Sequence, residues 1–114
     1  MKNYFTFRNF ETHRGMAYEI IWTESAWENF QKIIDYLDTE WSKQSADRFI
    51  ESAMKRIDSI ARQPFIGSMS CEDPTIRSII FSKYDKLYYQ IEGKELILPG
   101  IFDTRKDPAL NPFR

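Results

Sequence analysis

The sequence holds a single cysteine, a single histidine, no long apolar run and almost no excess charge. One thiol, Cys71, excludes an internal disulfide, and it reads as an ordinary thiol of a reducing compartment rather than as a nucleophile. The lone histidine, His13, lies in the first 15 residues, away from any patterned element, and is a poor site for a proton carrier. No apolar stretch approaches the roughly 18 residues that a membrane helix needs. The start also lacks a charged flank followed by an apolar segment and a small-residue cleavage site. Export and membrane spanning are therefore not expected, and the chain reads as cytoplasmic. With 16 Lys and Arg against 17 Asp and Glu, the net charge is −1. That excludes the strongly basic surface by which generic nucleic-acid binders gain most of their affinity.

What is present suits one compact α+β domain. The chain has 114 residues, 42% of them hydrophobic, enough for a single core. Residues 1–15 read as a leader without helical or alternating pattern, and residues 16–114 as the domain. Tyr4, Phe5, Phe7 and Phe10 leave open a short strand or arm within the leader. Tyr18 to Trp22 form a β-branched and aromatic run expected to be a buried strand. Thr23 then offers a hydroxyl cap to a helix of about 18 residues. Trp27, Phe30, Ile34, Leu37 and Trp41 recur at spacings of three and four on it, with Ile33 widening the stripe. A second helix, capped by Ser42 or Ser45, carries Ala46, Phe49, Ile50, Ala53, Ile57, Ile60 and Ala61 and ends at Pro64.

Gly67 to Pro74 read as a loop. Three strand signals follow, Ile76 to Phe81, Leu87 to Glu92 and Glu95 to Phe102, separated by turn-like SKYD and Gly93-Lys94. Pro99, without an amide hydrogen, predicts a bulge or an edge position. The order β-α-α-β-β-β predicts two layers, a helical hairpin on a mostly antiparallel four-stranded sheet. Trp22, Trp27, Phe30, Trp41, Phe49 and Tyr89 are expected in the core. Tyr36, Tyr88 and Phe113 are candidate exposed anchors for a partner helix.

Three segments carry a resemblance: "PFIG" at 64–67, "IRSIIFSKYDKLYYQIEG" at 76–93 and "GIFDTRKDP" at 100–108. With the element order, they make residues 17–108 similar to the RelE/ParE toxin superfamily. The resemblance implies the toxin of a bacterial type II toxin–antitoxin pair, masked by a cognate antitoxin. Members act either as ribosome-dependent mRNA endonucleases, RelE-like, or by binding DNA gyrase, ParE-like.

A metal-free nuclease needs a base, cations and an acid in one cleft. The candidates are Arg77, Lys83, Tyr84, Arg105 and Lys106, with Arg77, Tyr84 and Arg105 expected together at one rim. Arg77 and Arg105 are suited to clamp a phosphate, and Tyr84 to donate a proton or stack on a base. Equally, the two arginines read as ordinary strand-end charges paired with Asp103 and Asp107. No metal or cofactor is expected. Asp103 occupies a place where relatives often carry histidine or a second cation, so the nuclease set is incomplete. The ribosomal A site also demands a more basic protein than a pI of about 5.8 provides. Gyrase binding is the preferred expectation, the ribonuclease the alternative, and a non-toxic interaction module the third.

Overall fold

The structure is a computed structural model, and it describes residues 4–6, 18–71 and 73–113, for residues 4–6 only as backbone. His13, Phe7 and Phe10 lie outside the described residues. The elements are β1 (Tyr4–Thr6), β2 (Glu19–Thr23), α1 (Glu24–Glu40), α2 (Lys43–Arg62), β3 (Ser68–Met69), β4 (Ile76–Ile80), β5 (Asp85–Glu92) and β6 (Glu95–Asp103). Short 3-10 turns occupy Pro64–Ile66 and Pro108–Leu110.

Both helices begin where a side-chain oxygen meets first-turn amides that have no carbonyl to bond. The Thr23 hydroxyl accepts from Ala26 N–H at 3.1 Å, and Ser42 Oγ accepts from Ser45 N–H at 3.0 Å. Their apolar stripes face one sheet surface, where Trp22, Phe30, Phe49, Phe81 and Tyr89 are buried with the aliphatic residues of β5 and β6. Ring centroids in the aromatic group of Trp22, Trp27, Phe30, Phe49 and Phe81 lie 5.2 to 6.1 Å apart, which adds edge-on and tilted aromatic attraction to the area buried.

The two-layer α+β architecture and element order agree with the sequence pattern, but the sheet is larger and mixed. Among the described residues, six strands run in the order β1-β2-β6-β5-β4-β3. The four expected strands form its middle. Three residues of β1 and two of β3 extend its edges, runs too short to show any periodicity. The first long strand and the last one, β2 and β6, pair in parallel, Ile20 opposite Leu96 and Trp22 opposite Leu98. The other pairings are antiparallel.

The bulge expected from Pro99 is present. Tyr88 lies opposite Gly100, whereas Gln90 lies opposite Ile97, so β6 spends one extra residue across Leu98 and Pro99. At this point β2 has ended, and α1 takes over the exposed edge of β6. Thr23 Oγ1 donates to Leu98 O at 2.7 Å, and Asn29 Oδ1 accepts from Ile101 N–H at 3.0 Å. One threonine thus starts the helix and closes the strand edge.

Three aromatic expectations are corrected. Trp41 is 70% exposed, because it follows the last turn of α1 at the tip of the hairpin, past the end of the sheet beneath. Tyr88 is only 4% exposed although it points away from the helices. Phe113 covers it, half-buried itself, with ring centroids 5.0 Å apart. The chain after β6 folds back over the outer sheet face, where Asn111 Nδ2 donates to Tyr88 Oη at 2.9 Å and Ser70 Oγ donates to Phe113 O at 3.1 Å. Gly100 makes room for that ring, since a Cβ there would stand 2.7 Å from Phe113. Tyr36, at 57% exposed, is the one candidate anchor that remains on the surface.

Candidate functional site

The turn between β4 and β5 and the end of β6 form one corner of the sheet, and four of the five candidate residues lie there. Asp103 pairs across the sheet with Asp85, and Thr104 donates to Tyr84 O through its N–H at 2.7 Å and its hydroxyl at 3.0 Å. These bonds carry the end of β6 back onto the turn. The Arg105 guanidinium then lies over the Tyr84 ring, 4.3 Å from its centroid, and Lys83 Nζ approaches the same ring at 5.2 Å. Two cations therefore share one exposed aromatic ring. Lys106 is exposed next to them, its N–H donating to Asp103 O at 3.1 Å.

Arg105 is not available as an unpaired cation. Its Nε and Nη2 donate to the two oxygens of Asp103 at 3.1 and 2.8 Å, a bidentate pair, and its backbone N–H donates to Asp103 Oδ1 at 2.9 Å. The side-chain bonds from Arg105 hold the Asp103 carboxyl below its ordinary range, and the same bonds push the Arg105 guanidinium up. Asp85 shows the opposite shift. Burial raises it, with repulsion from Asp103 adding to that, while the hydrogen bond from Ser82 Oγ at 2.6 Å and the charge of Arg105 act against it. Two acidic groups directly opposite each other are costly in a sheet, and Arg105 offsets that cost.

Arg77 lies elsewhere. It pairs with Tyr89, four residues along β5 from Asp85, which at the rise of a strand is a separation of roughly 13 Å from the corner. Its Nη1 donates to Gly67 O at 2.7 Å and Phe65 O at 3.2 Å, and its guanidinium sits 5.1 Å from the centroid of the Phe65 ring. The guanidinium holds the turn after α2 against β4. Tyr89 anchors the same turn from beneath, donating to Pro64 O at 2.6 Å and accepting from Gly67 N–H at 2.9 Å. The structure thus brings Lys83, Tyr84, Arg105 and Lys106 to one corner and leaves Arg77 as a clasp for the 64–67 turn. The expected rim of Arg77, Tyr84 and Arg105 does not form.

The supporting residues of the corner, Ser82, Asp85 and Thr104, carry no motif that marks them. The Asp103–Arg105 pair was partly legible, because an aspartate two residues before another amide tends to accept from it in a turn. Among the described residues, no group of three His, Cys, Asp or Glu side chains is placed to hold a metal ion.

This arrangement joins a β-α-α-β-β-β chain to a basic corner after the last strand. The model of the ParE toxin of the type II toxin–antitoxin system parDE matches residues 20–108. The chain belongs to this ParE toxin family. The match takes in both helices, the four central strands and the corner, and stops at Pro108, before the segment that covers Tyr88. Eleven solved chains are similar to this one. Among them is a chain described as the chromosomal ParDE toxin–antitoxin system from P. aeruginosa, with a TM-score of 0.61 at 15% identity, covering 72% of this ParE-family chain and 90% of that one. At that identity the likeness is one of fold. No curated protein matches the chain. No helix among the described residues is long and apolar enough to cross a membrane.

Proposed function

We propose that this ParE-family toxin inhibits growth by binding DNA gyrase through a protein–protein surface, and that a cognate antitoxin masks it. The observation that carries this reading is the state of its arginines. Arg105 is neutralised by a bidentate carboxylate, and Arg77 is spent on two backbone carbonyls. Phosphate cleavage needs cations aimed at developing negative charge and a group that exchanges protons near neutrality. The corner holds a phenol, two ammonium groups, a paired guanidinium and two aspartates, and no imidazole among the described residues. As a protein-contact patch, by contrast, the corner is well made. Tyrosine and arginine stacked in a fixed pose are typical of the residues that dominate interfaces, because little rotamer freedom is lost on docking.

The RelE-like alternative separates from this reading in one experiment. The purified chain is added to a gyrase supercoiling assay and, in parallel, to ribosomes programmed with message. Loss of supercoiling with intact message supports the gyrase reading; cleaved message with normal supercoiling overturns it. In the gyrase assay, Tyr84→Ala is expected to raise the half-inhibitory concentration at least tenfold. Arg77→Ala is expected to act only through stability, leaving inhibition per folded molecule unchanged.

A further inference from the structure

Helix α1 outruns the sheet that it covers. Its capping Thr23 bonds to Leu98 O and Asn29 bonds to Ile101 N–H, so helix and strand β6 advance side by side in one direction. Beyond Ile101, β6 runs on only to Asp103, about 7 Å at the rise of a strand. Beyond Asn29, α1 runs on to its cap at Trp41, about 18 Å at the rise of a helix. The tip of the hairpin therefore projects roughly 10 Å past the last row of the sheet. The rings of Phe30 and Phe49, with centroids 6.1 and 5.7 Å from that of Phe81, mark where the two helices leave it. Phe81 leads into the 82–85 turn, its N–H bonding to Asp85 O. The overhang thus stands at the same end of the molecule as the corner of Lys83, Tyr84, Arg105 and Lys106, and beside it.

The underside of the overhang is apolar. Successive helical positions turn by about 100°, which sets Ile34, Leu37 and Trp41 within about 40° of Phe30. Phe30 is buried, Ile34 and Leu37 are half-buried, and Trp41 is 70% exposed. Cover is lost along this stripe as the sheet is left behind. The exposed carboxylates of Asp38 and Glu40 flank the stripe, while Tyr36 lies about 120° round the helix from it. Tryptophan is on average highly buried, so one left open on a projecting apolar face marks a contact surface.

The corner is too small to hold a large enzyme by itself. A stable protein interface draws on roughly 20 to 30 residues from each side, and the corner contributes Lys83, Tyr84, Arg105 and Lys106. A surface that grips gyrase there has to continue past them, and the overhang is the apolar ground that adjoins them at this end. Tryptophan, tyrosine and arginine are also the residue types that dominate binding energy at interfaces.

We infer that the underside of the α1 overhang is the second half of the surface that binds DNA gyrase, with Trp41 entering an apolar pocket of the enzyme while Tyr84 and Arg105 are pressed against the patch next to it. Asp38 and Glu40 call for cations around the Trp41 pocket, and Lys83 and Lys106 call for carboxylates opposite the corner. The inference rests on the gyrase reading and gives it a second anchor on a different element.

The test uses the full chain and gyrase holoenzyme, with supercoiling as one readout and hydroxyl-radical footprinting of the complex, read by mass spectrometry, as the other. Trp41→Ala is expected to raise the half-inhibitory concentration at least tenfold, as truncation of an interface anchor does. Its thermal melt should match wild type, because the side chain is exposed. Tyr36→Ala is expected to stay within twofold. Trp41 and Tyr84 should both be shielded from oxidation in the complex. If Trp41→Ala inhibits within twofold of wild type while Tyr84→Ala does not, or if Trp41 is oxidised as fast in the complex as alone, the inference falls and the gyrase reading stands. It also falls if Tyr36→Ala weakens inhibition as much as Trp41→Ala, since the other side of the helix then docks. Two further occupants are read directly. Loss of binding to the protein encoded in the adjacent reading frame, with inhibition unchanged, gives the overhang to the antitoxin; a dimer in sedimentation that Trp41→Ala dissolves gives it to a second copy. Either result overturns the inference. If the wild-type chain does not inhibit supercoiling at all, the gyrase reading fails and takes the inference with it.

Discussion

Tyr89 holds two backbone groups with one hydroxyl, and the residue scale is where this protein is least tolerant. Its ring is fully buried, and its oxygen satisfies both Pro64 O and Gly67 N–H. Replacing it by phenylalanine keeps the packing and strands both partners, a loss of about 2 kcal/mol. Urea unfolding should show the lower midpoint at an unchanged slope. Asp85 and Asp103 respond to pH in opposite senses. Asp103 is held low in the fold, so the stability it contributes is complete above its unfolded value and is lost as pH falls through the lower folded one. Asp85 is raised, so its charge works against the fold at neutral pH, and stability is regained as pH falls through that raised value. Asp85→Asn keeps an acceptor for Ser82 and removes the charge. At pH 7 it should stabilise by less than about 1 kcal/mol, the group being only half-buried. The wild type should gain melting temperature on mild acidification, and that rise should disappear with the substitution.

At the scale of elements, what the sequence made legible was whatever a periodicity reports, and what it hid was what lies at the end of a period. The stripe of α1 was readable from Trp27 to Leu37. Its next member, Trp41, kept the spacing and lost the sheet beneath it, and spacing cannot report where a partner layer stops. Tyr88 failed for the converse reason. Alternation places it on the outer face correctly, but a segment without regular structure covers that face. Arg77 and Tyr84 stand close in sequence, yet the rise of a strand carries one away from the other. The covering segment hangs on a single small residue. Gly100→Ala would put a methyl group into the Phe113 ring, and it should release the segment after Asp107 while leaving the helices intact. Faster amide exchange at 111–113, with unchanged exchange in α2, is the expected signature.

On the scale of the whole molecule, the hydrophobic pattern was sufficient for the layers and insufficient for the sheet order. Ile20 to Trp22 and Leu96 to Leu98 both read as buried strands, and nothing in either says that they are neighbours, or parallel ones. That pairing follows from packing. A helical hairpin laid on one face carries the chain to the far edge of the sheet, where β3 and β4 form, and the run β4-β5-β6 then comes back until β6 lies between β5 and β2. Charge distribution was legible only in part. Residues 75–114 hold seven basic and five acidic groups, but internal pairing with Asp103 removes Arg105 from that excess, a cancellation that no composition reveals.

The central position of β6 has a temporal meaning. The strand that joins the two halves of the sheet comes after the other described strands in the chain, so a nascent polypeptide that ends before Glu95 holds β2 and its helices on one side and the β4–β5 hairpin on the other, without the strand that bridges them. A message broken before the codon for Glu95 therefore yields a chain whose two half-sheets have no strand to join them.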